Sequence, residues 1–127
     1  MDLPTLNCEL RAHLFRLGGW ALVSLVAGLI LLGRNQKDGA GGMTLIWAVI
    51  NLVIVGFALR GTSPADYGAF RAFLTFNLGL NLLWIASGVA MALNRQNVWV
   101  QRAGWAMVVQ AVVLMALDLY LFVRTRR

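Results

Sequence analysis

Four long apolar runs, Leu14–Gly33, Met43–Leu59, Leu74–Leu93 and Gly104–Val123, take up most of this 127-residue chain. They are 20, 17, 20 and 20 residues long. A helix rises about 1.5 Å per residue, so about 20 residues cross a hydrocarbon core of about 30 Å, with 17 at the short end of what suffices. Backbone polar groups in lipid must bond to one another, which makes each run a helix. None of the runs shows the two-residue alternation of a barrel strand. Composition agrees: 60% of the residues are hydrophobic and 13% charged, against about 25% charged in an ordinary soluble domain. A chain this short has no core large enough to hide such an excess. The expected fold is an all-α, integral membrane four-helix bundle forming a single transmembrane domain over residues 1–127. Cys8 is the only cysteine, which excludes a disulfide framework.

Polar punctuation separates the runs. Arg34-Asn35-Gln36-Lys37-Asp38-Gly39 ends in a Gly-rich turn, Thr62-Ser63-Pro64-Ala65-Asp66 breaks the chain at mid-length, and Asn94-Arg95-Gln96-Asn97 closes the third run. Connections this short make consecutive helices antiparallel neighbours. Ahead of the first run, Leu6, Leu10, Leu14 and Leu17 recur at spacings of three and four, and Pro4 is placed to open a helix. Residues 4–13 therefore read as an interfacial segment leading into the first span, not as a cleaved leader. Cys8 and His13 lie in it without a second cysteine or histidine anywhere, so both read as interface residues and no metal site is expected.

The net charge of +6 is spread over every helix end, where basic side chains meet lipid phosphates. The expected partner is the bilayer, not nucleic acid, for which a basic stripe with interleaved aromatics is lacking. Seven of the basic residues (Arg11, Arg16, Arg60, Arg71, Arg124, Arg126, Arg127) lie toward the end holding both termini, and four (Arg34, Lys37, Arg95, Arg102) toward the other. The positive-inside rule then puts both termini in the cytoplasm of a multi-pass cell (inner) membrane protein.

The chain also looks internally repeated. Arg11-Ala12-His13-Leu14-Phe15-Arg16-Leu17-Gly18 resembles Arg71-Ala72-Phe73-Leu74-Thr75-Phe76-Asn77-Leu78-Gly79 with one extra residue in the second copy, and Trp47 matches Trp105. A duplicated helical hairpin accounts for this, although apolar sequences also align by chance.

The chemistry lies in a few polar side chains inside the runs: Asn51 in the second, Asn77 and Asn81 in the third, Gln110 and Asp118 in the fourth. A carboxylate at the centre of a span costs about 2.5–3.5 kcal/mol, so Asp118 is expected to face protein or water. Counted from the run ends, Asp118, Asn81 and Asn51 fall within about 5 Å of one depth. Asn77, Asn81, Trp84 and Gly88 share one helix face. This predicts an intramembrane cluster of Asn51, Asn81 and Asp118 with Asn77 at its edge, Gln110 one layer further along, and Arg16 or Arg71 reaching Asp118 as an ion-pair partner. The bland alternative is that the amides are interhelical glue and Asp118 an anchor.

Trp47-x-x-x-Asn51 followed by Gly56, then Asn77-x-Gly79-Leu80-Asn81 with Gly88, then Gln110 with Leu117-Asp118-Leu119-Tyr120, resemble a bacterial family of small four-helix membrane proteins known as a domain of unknown function. The resemblance covers the second to fourth helices and implies fold and membrane location, but no activity. The family pattern has an Asp where this chain has Asn81, which leaves one fewer carboxylate and weakens any scheme that needs a dyad. Small multidrug exporters are similar in length but carry a glutamate in the first helix, where this chain has no acid. Fluoride channels have a Gly-rich first helix and a Thr/Ser/Phe track not recognisable here.

Two functions are expected from these features. One is binding or transport of a small polar solute, cation or proton through the Asn/Asp cluster, in a homo-oligomer or with a membrane-protein partner. The other is a non-catalytic accessory or scaffold subunit of a membrane complex. No catalytic constellation or cofactor motif is visible, so an enzyme is not expected.

Overall fold

The computed structural model describes residues 2–61 and 66–126, and among these only helices occur as regular structure. They are α1 (Leu3–Arg34), α2 (Gly39–Arg60), α3 (Tyr67–Ala92) and α4 (Val98–Arg124). Each is longer than its apolar run, because polar caps set the helix ends and hydropathy does not. Asp2, Asp38, Asp66 and Asn97 are the four N-caps, their side chains accepting from the backbone N–H of Thr5, Ala40, Ala69 and Val100. Such a cap satisfies one of the donors that every helix start leaves unpaired. Pro4 stands in the first turn of α1, which runs without a break from the 4–13 segment into the first span. The chain break expected at residues 62–65 lies outside the described residues, as do Met1 and Arg127.

All four helices are long and apolar enough to cross a membrane. Large apolar side chains face outward along them, Phe57 at 74% and Leu82 at 62% exposure, as a lipid-facing surface requires. The chain is a multi-pass membrane protein.

Packing is uneven. The α1–α2 and α3–α4 hairpins are each closely joined, α2 also packs on α4, and α1 touches α4 more lightly. No comparable packing joins α2 to α3. Glycines allow the close approaches at the hairpin-loop end. A methyl on Gly104 would overlap the Ala92 backbone nitrogen and lie 2.6 Å from the Gly88 carbonyl oxygen; one on Gly28 would lie 3.0 Å from the Leu45 nitrogen. At the opposite end, which holds the termini, Leu6, Phe70, Leu74 and Leu121 form an apolar cluster across α1, α3 and α4. Tyr67 donates to the Thr125 carbonyl at 2.5 Å and Arg71 Nη1 to the Phe122 carbonyl at 2.6 Å, closing that end.

Candidate functional site

Between the closed terminal end and the glycine crossings, the gap between α2 and α3 is a cavity of about 800 Å³ with α1 and α4 behind it. Asp118, Asn81, Asn77, Asn51 and His13 all line it, together with Trp47 and Trp84. The two indoles meet edge to face with centroids 5.8 Å apart.

Asp118 is held at both oxygens. Asn81 Nδ2 donates to Oδ2 at 2.6 Å, and His13 Nε2 lies 3.2 Å from Oδ1. The carboxylate side chain is 15% exposed and the imidazole 8%. Three helices thus converge on one acid: α3 supplies the amide donor, α1 an imidazole within ion-pair distance, and α4 the carboxylate. The geometry also explains why an amide at 81 is compatible with this site. A second carboxylate there would have to share a proton with Asp118, whereas the amide donates outright.

Two sequence expectations are corrected here. His13 is not an interface residue: it is buried at 7% and faces the site. Its position was legible, since it follows Leu10 by three and precedes Leu17 by four, which puts it on the buried stripe of α1. Nor does Arg16 or Arg71 pair with Asp118. Arg71 is turned to the Phe122 carbonyl and to Thr125 Oγ1, with its guanidinium 3.6 Å from the Phe122 ring centroid. Arg16 lies over the Tyr120 ring at 4.7 Å. The imidazole occupies the place that a long basic side chain was expected to take.

Gln110 belongs to a different cluster. It is 2% exposed, donates to Ser24 Oγ at 3.0 Å and accepts from Trp20 Nε1 at 2.9 Å. It is eight residues before Asp118, which is about 12 Å along a helix. Its polar groups are engaged by α1, so it serves to tie α1 to α4 where those helices touch.

Asn51 and Asn77 complete the cavity wall. Asn51 is 2% exposed, and its Nδ2 is buried without a hydrogen-bond partner, as is His13 Nδ1. Asn77 is half-buried. Cys8 is exposed and away from the site. Among the described residues no three His, Cys, Asp or Glu side chains come together as a metal site would require.

A family model matches residues 16–119, from near the middle of α1 to the last turns of α4. The chain belongs to DUF6992, a family of unknown function. The DUF6992 match takes in α1 as well as the three later helices on which the sequence resemblance rested, and it includes Asn51, Asn77, Asn81, Gln110 and Asp118. His13 lies three residues before the matched segment. Comparison with curated proteins and with solved structures gives no match.

Proposed function

We propose that this DUF6992 member is a membrane-embedded binding protein whose α2–α3 cavity takes up a small solute. The observation that supports this reading is the convergence from all four helices of Asp118, its partners His13 and Asn81, and Asn51 and Asn77 on one largely apolar space of about 800 Å³. Volumes of about 300–1,000 Å³, mostly apolar with a few convergent polar groups, are characteristic of ligand sites. A scaffold would have no need to keep such a space open, because interhelical glue works best where the helices touch. The role is binding, not turnover. The bilayer is the surrounding partner, and both termini lie on the cytoplasmic side in this reading. A duplicated hairpin is the proposed origin of the fold: Gly28 and Gly88 each stand at the close crossing of their own hairpin.

The test is photolabelling in lipid nanodiscs with a short alkyl diazirine, followed by peptide mapping of the adducts. Saturable labelling at Ile54, Asn77 and Leu80, above the non-saturable background at Leu82, is expected. Labelling that never saturates at the cavity positions would overturn the binding reading in favour of the scaffold.

A further inference from the structure

The cavity wall carries more information than its volume. Both oxygens of Asp118 already have a nitrogen partner, Asn81 on one and His13 on the other. One nitrogen contact per oxygen leaves lone pairs on Asp118, so the choice among ligands rests on the neighbouring groups that have no partner at all. Two nitrogens are left over. His13 Nδ1 and Asn51 Nδ2 are buried, have no partner, and belong to residues that are 7% and 2% exposed and line the same space. Buried polar atoms are paired in nearly all native structures; Arg16 Nε and Nη2 are also buried without a partner but lie off the cavity, whereas His13 and Asn51 line it, where an incoming group can pair them.

The kinds of atom that suit these two nitrogens are limited. The Asn51 amide nitrogen only donates and needs an acceptor oxygen. His13 Nδ1 donates when the ring is protonated and accepts when the ring is neutral with its Nε2 proton turned to Asp118. A hydroxyl oxygen satisfies either state, and a carbonyl oxygen the first. A carboxylate would sit beside Asp118 at the cost of like-charge repulsion in a poorly solvated site. A cation would face the Asn51 N–H, which has no lone pair to offer it and stays unpaired. Asn77 apart, the rest of the lining is mainly apolar, with Leu14, Leu17, Ile50, Ile54, Leu80 and Leu114 among it. Ile50 and Ile54, 44% and 48% exposed, stand on the side of α2 that faces hydrocarbon, and Phe73, 64% exposed, stands opposite them on α3. The mouth of the cavity is therefore in the bilayer and not in water.

We infer that the ligand is an uncharged, lipid-soluble amphiphile with an apolar body and one hydroxyl or carbonyl oxygen, which enters between α2 and α3 and places that oxygen against His13 and Asn51. The inference rests on the binding reading above and gives that site its ligand class. An acyl chain alone fills the volume but leaves both nitrogens unpaired.

The experiment uses the full chain in nanodiscs and a decanol bearing a diazirine on its alkyl chain, with adducts mapped by peptide mass spectrometry. Unlabelled decanol, decylamine and decanoate, which differ only in the head group, serve as competitors. Expected are saturable adducts at Ile50, Ile54 and Phe73 that decanol displaces at about ten-fold lower concentration than either charged competitor, a difference of one hydrogen-bonding contact. Asn51→Leu should cut the labelling several-fold with its melting temperature retained, and His13→Phe provides a second variant if the first fails to fold. Preferential displacement by decylamine or by decanoate, or equal displacement by all three, overturns the ligand class and leaves the binding reading standing. Undiminished labelling in the folded variants likewise overturns it. No saturable labelling in the cavity by any probe removes the binding reading itself.

Discussion

The five acidic residues of the chain divide by position. Asp2, Asp38 and Asp66 cap helices, and Glu9 accepts from Arg124 at 2.9 Å near the terminal end. That leaves Asp118 as the acid whose surroundings are not a helix end. Removing its amide donor with Asn81→Leu strands a carboxylate oxygen and should destabilise the fold by about 1–3 kcal/mol, a loss readable from unfolding in mixed micelles. Asn51→Leu should do the reverse. It deletes a buried, unpaired nitrogen and keeps the branched shape, with the cavity beside it to take the added bulk, so the ligand-free protein should melt at or above the wild-type temperature. A matched loss at both asparagines would show that Asn51 is paired within the fold and is not held in reserve for a ligand. Asp118→Leu should in turn cost more than Leu119→Ala, because Leu119 is 46% exposed and faces outward. The depth match of Asp118 with Asn81 was legible in the sequence because it follows from counting along helices of fixed rise. The partner at Oδ1 was harder to read. Charge strength favoured an arginine, but the arginines here are drawn to carbonyls and aromatic faces nearer the helix ends, and the weaker base on the inner stripe of α1 takes the place.

Among the elements, helix existence and order followed from hydropathy alone, while the ends did not, since the cap residues fall in the polar segments that a hydropathy reading assigns to loops. The contact between hairpins was also invisible in the sequence. Short loops dictate α1 beside α2 and α3 beside α4, but they say nothing about α2 resting on α4 and standing away from α3. The glycines separate into those with a neighbour and those without. Gly104→Ala should push α3 and α4 apart and cost about 1–3 kcal/mol, whereas Gly79→Ala, with nothing within 4 Å of the added methyl, should be neutral. Chemical unfolding of the two variants side by side checks this, and equal stability would mean that the crossing relaxes freely. At the same end Asp38 receives Arg102 Nε at 2.5 Å and Nη2 at 3.1 Å. This guanidinium is the main reason the Asp38 carboxyl is held below its ordinary value of 3.8. The stabilisation is present above the ordinary carboxylate range and is lost as pH falls through the lowered value. Arg102 is half-exposed, so solvent limits the effect to about 1 kcal/mol or less. The melting difference between wild type and Arg102→Leu should be present at neutral pH and vanish in strong acid; a difference that persists there would mean that Arg102 acts through packing and not through Asp38.

Taken as a whole molecule, four antiparallel spans put the start of α1, the end of α2, the start of α3 and the end of α4 on one face and the two hairpin loops on the other. Cys8 is exposed on the first face and Gln36 on the second. In sealed vesicles the native Cys8, and a Gln36→Cys variant made in a Cys8→Ser background, should react with an impermeant thiol reagent from opposite sides, with Cys8 protected in whole cells if the basic bias sets orientation as expected. Reaction of both from the same side would contradict four crossings. The unpacked seam between α2 and α3 has an optical consequence as well. Trp47 and Trp84 reach across it at 5.8 Å and 78°, close enough for the excited states of the two indoles to mix. The pair therefore acts as a built-in dichroic gauge, whose far-ultraviolet couplet varies with the distance between the two halves of the molecule. Trp84→Phe should erase that couplet, and in the native chain any occupant that wedges the hairpins apart should weaken it without a label being attached.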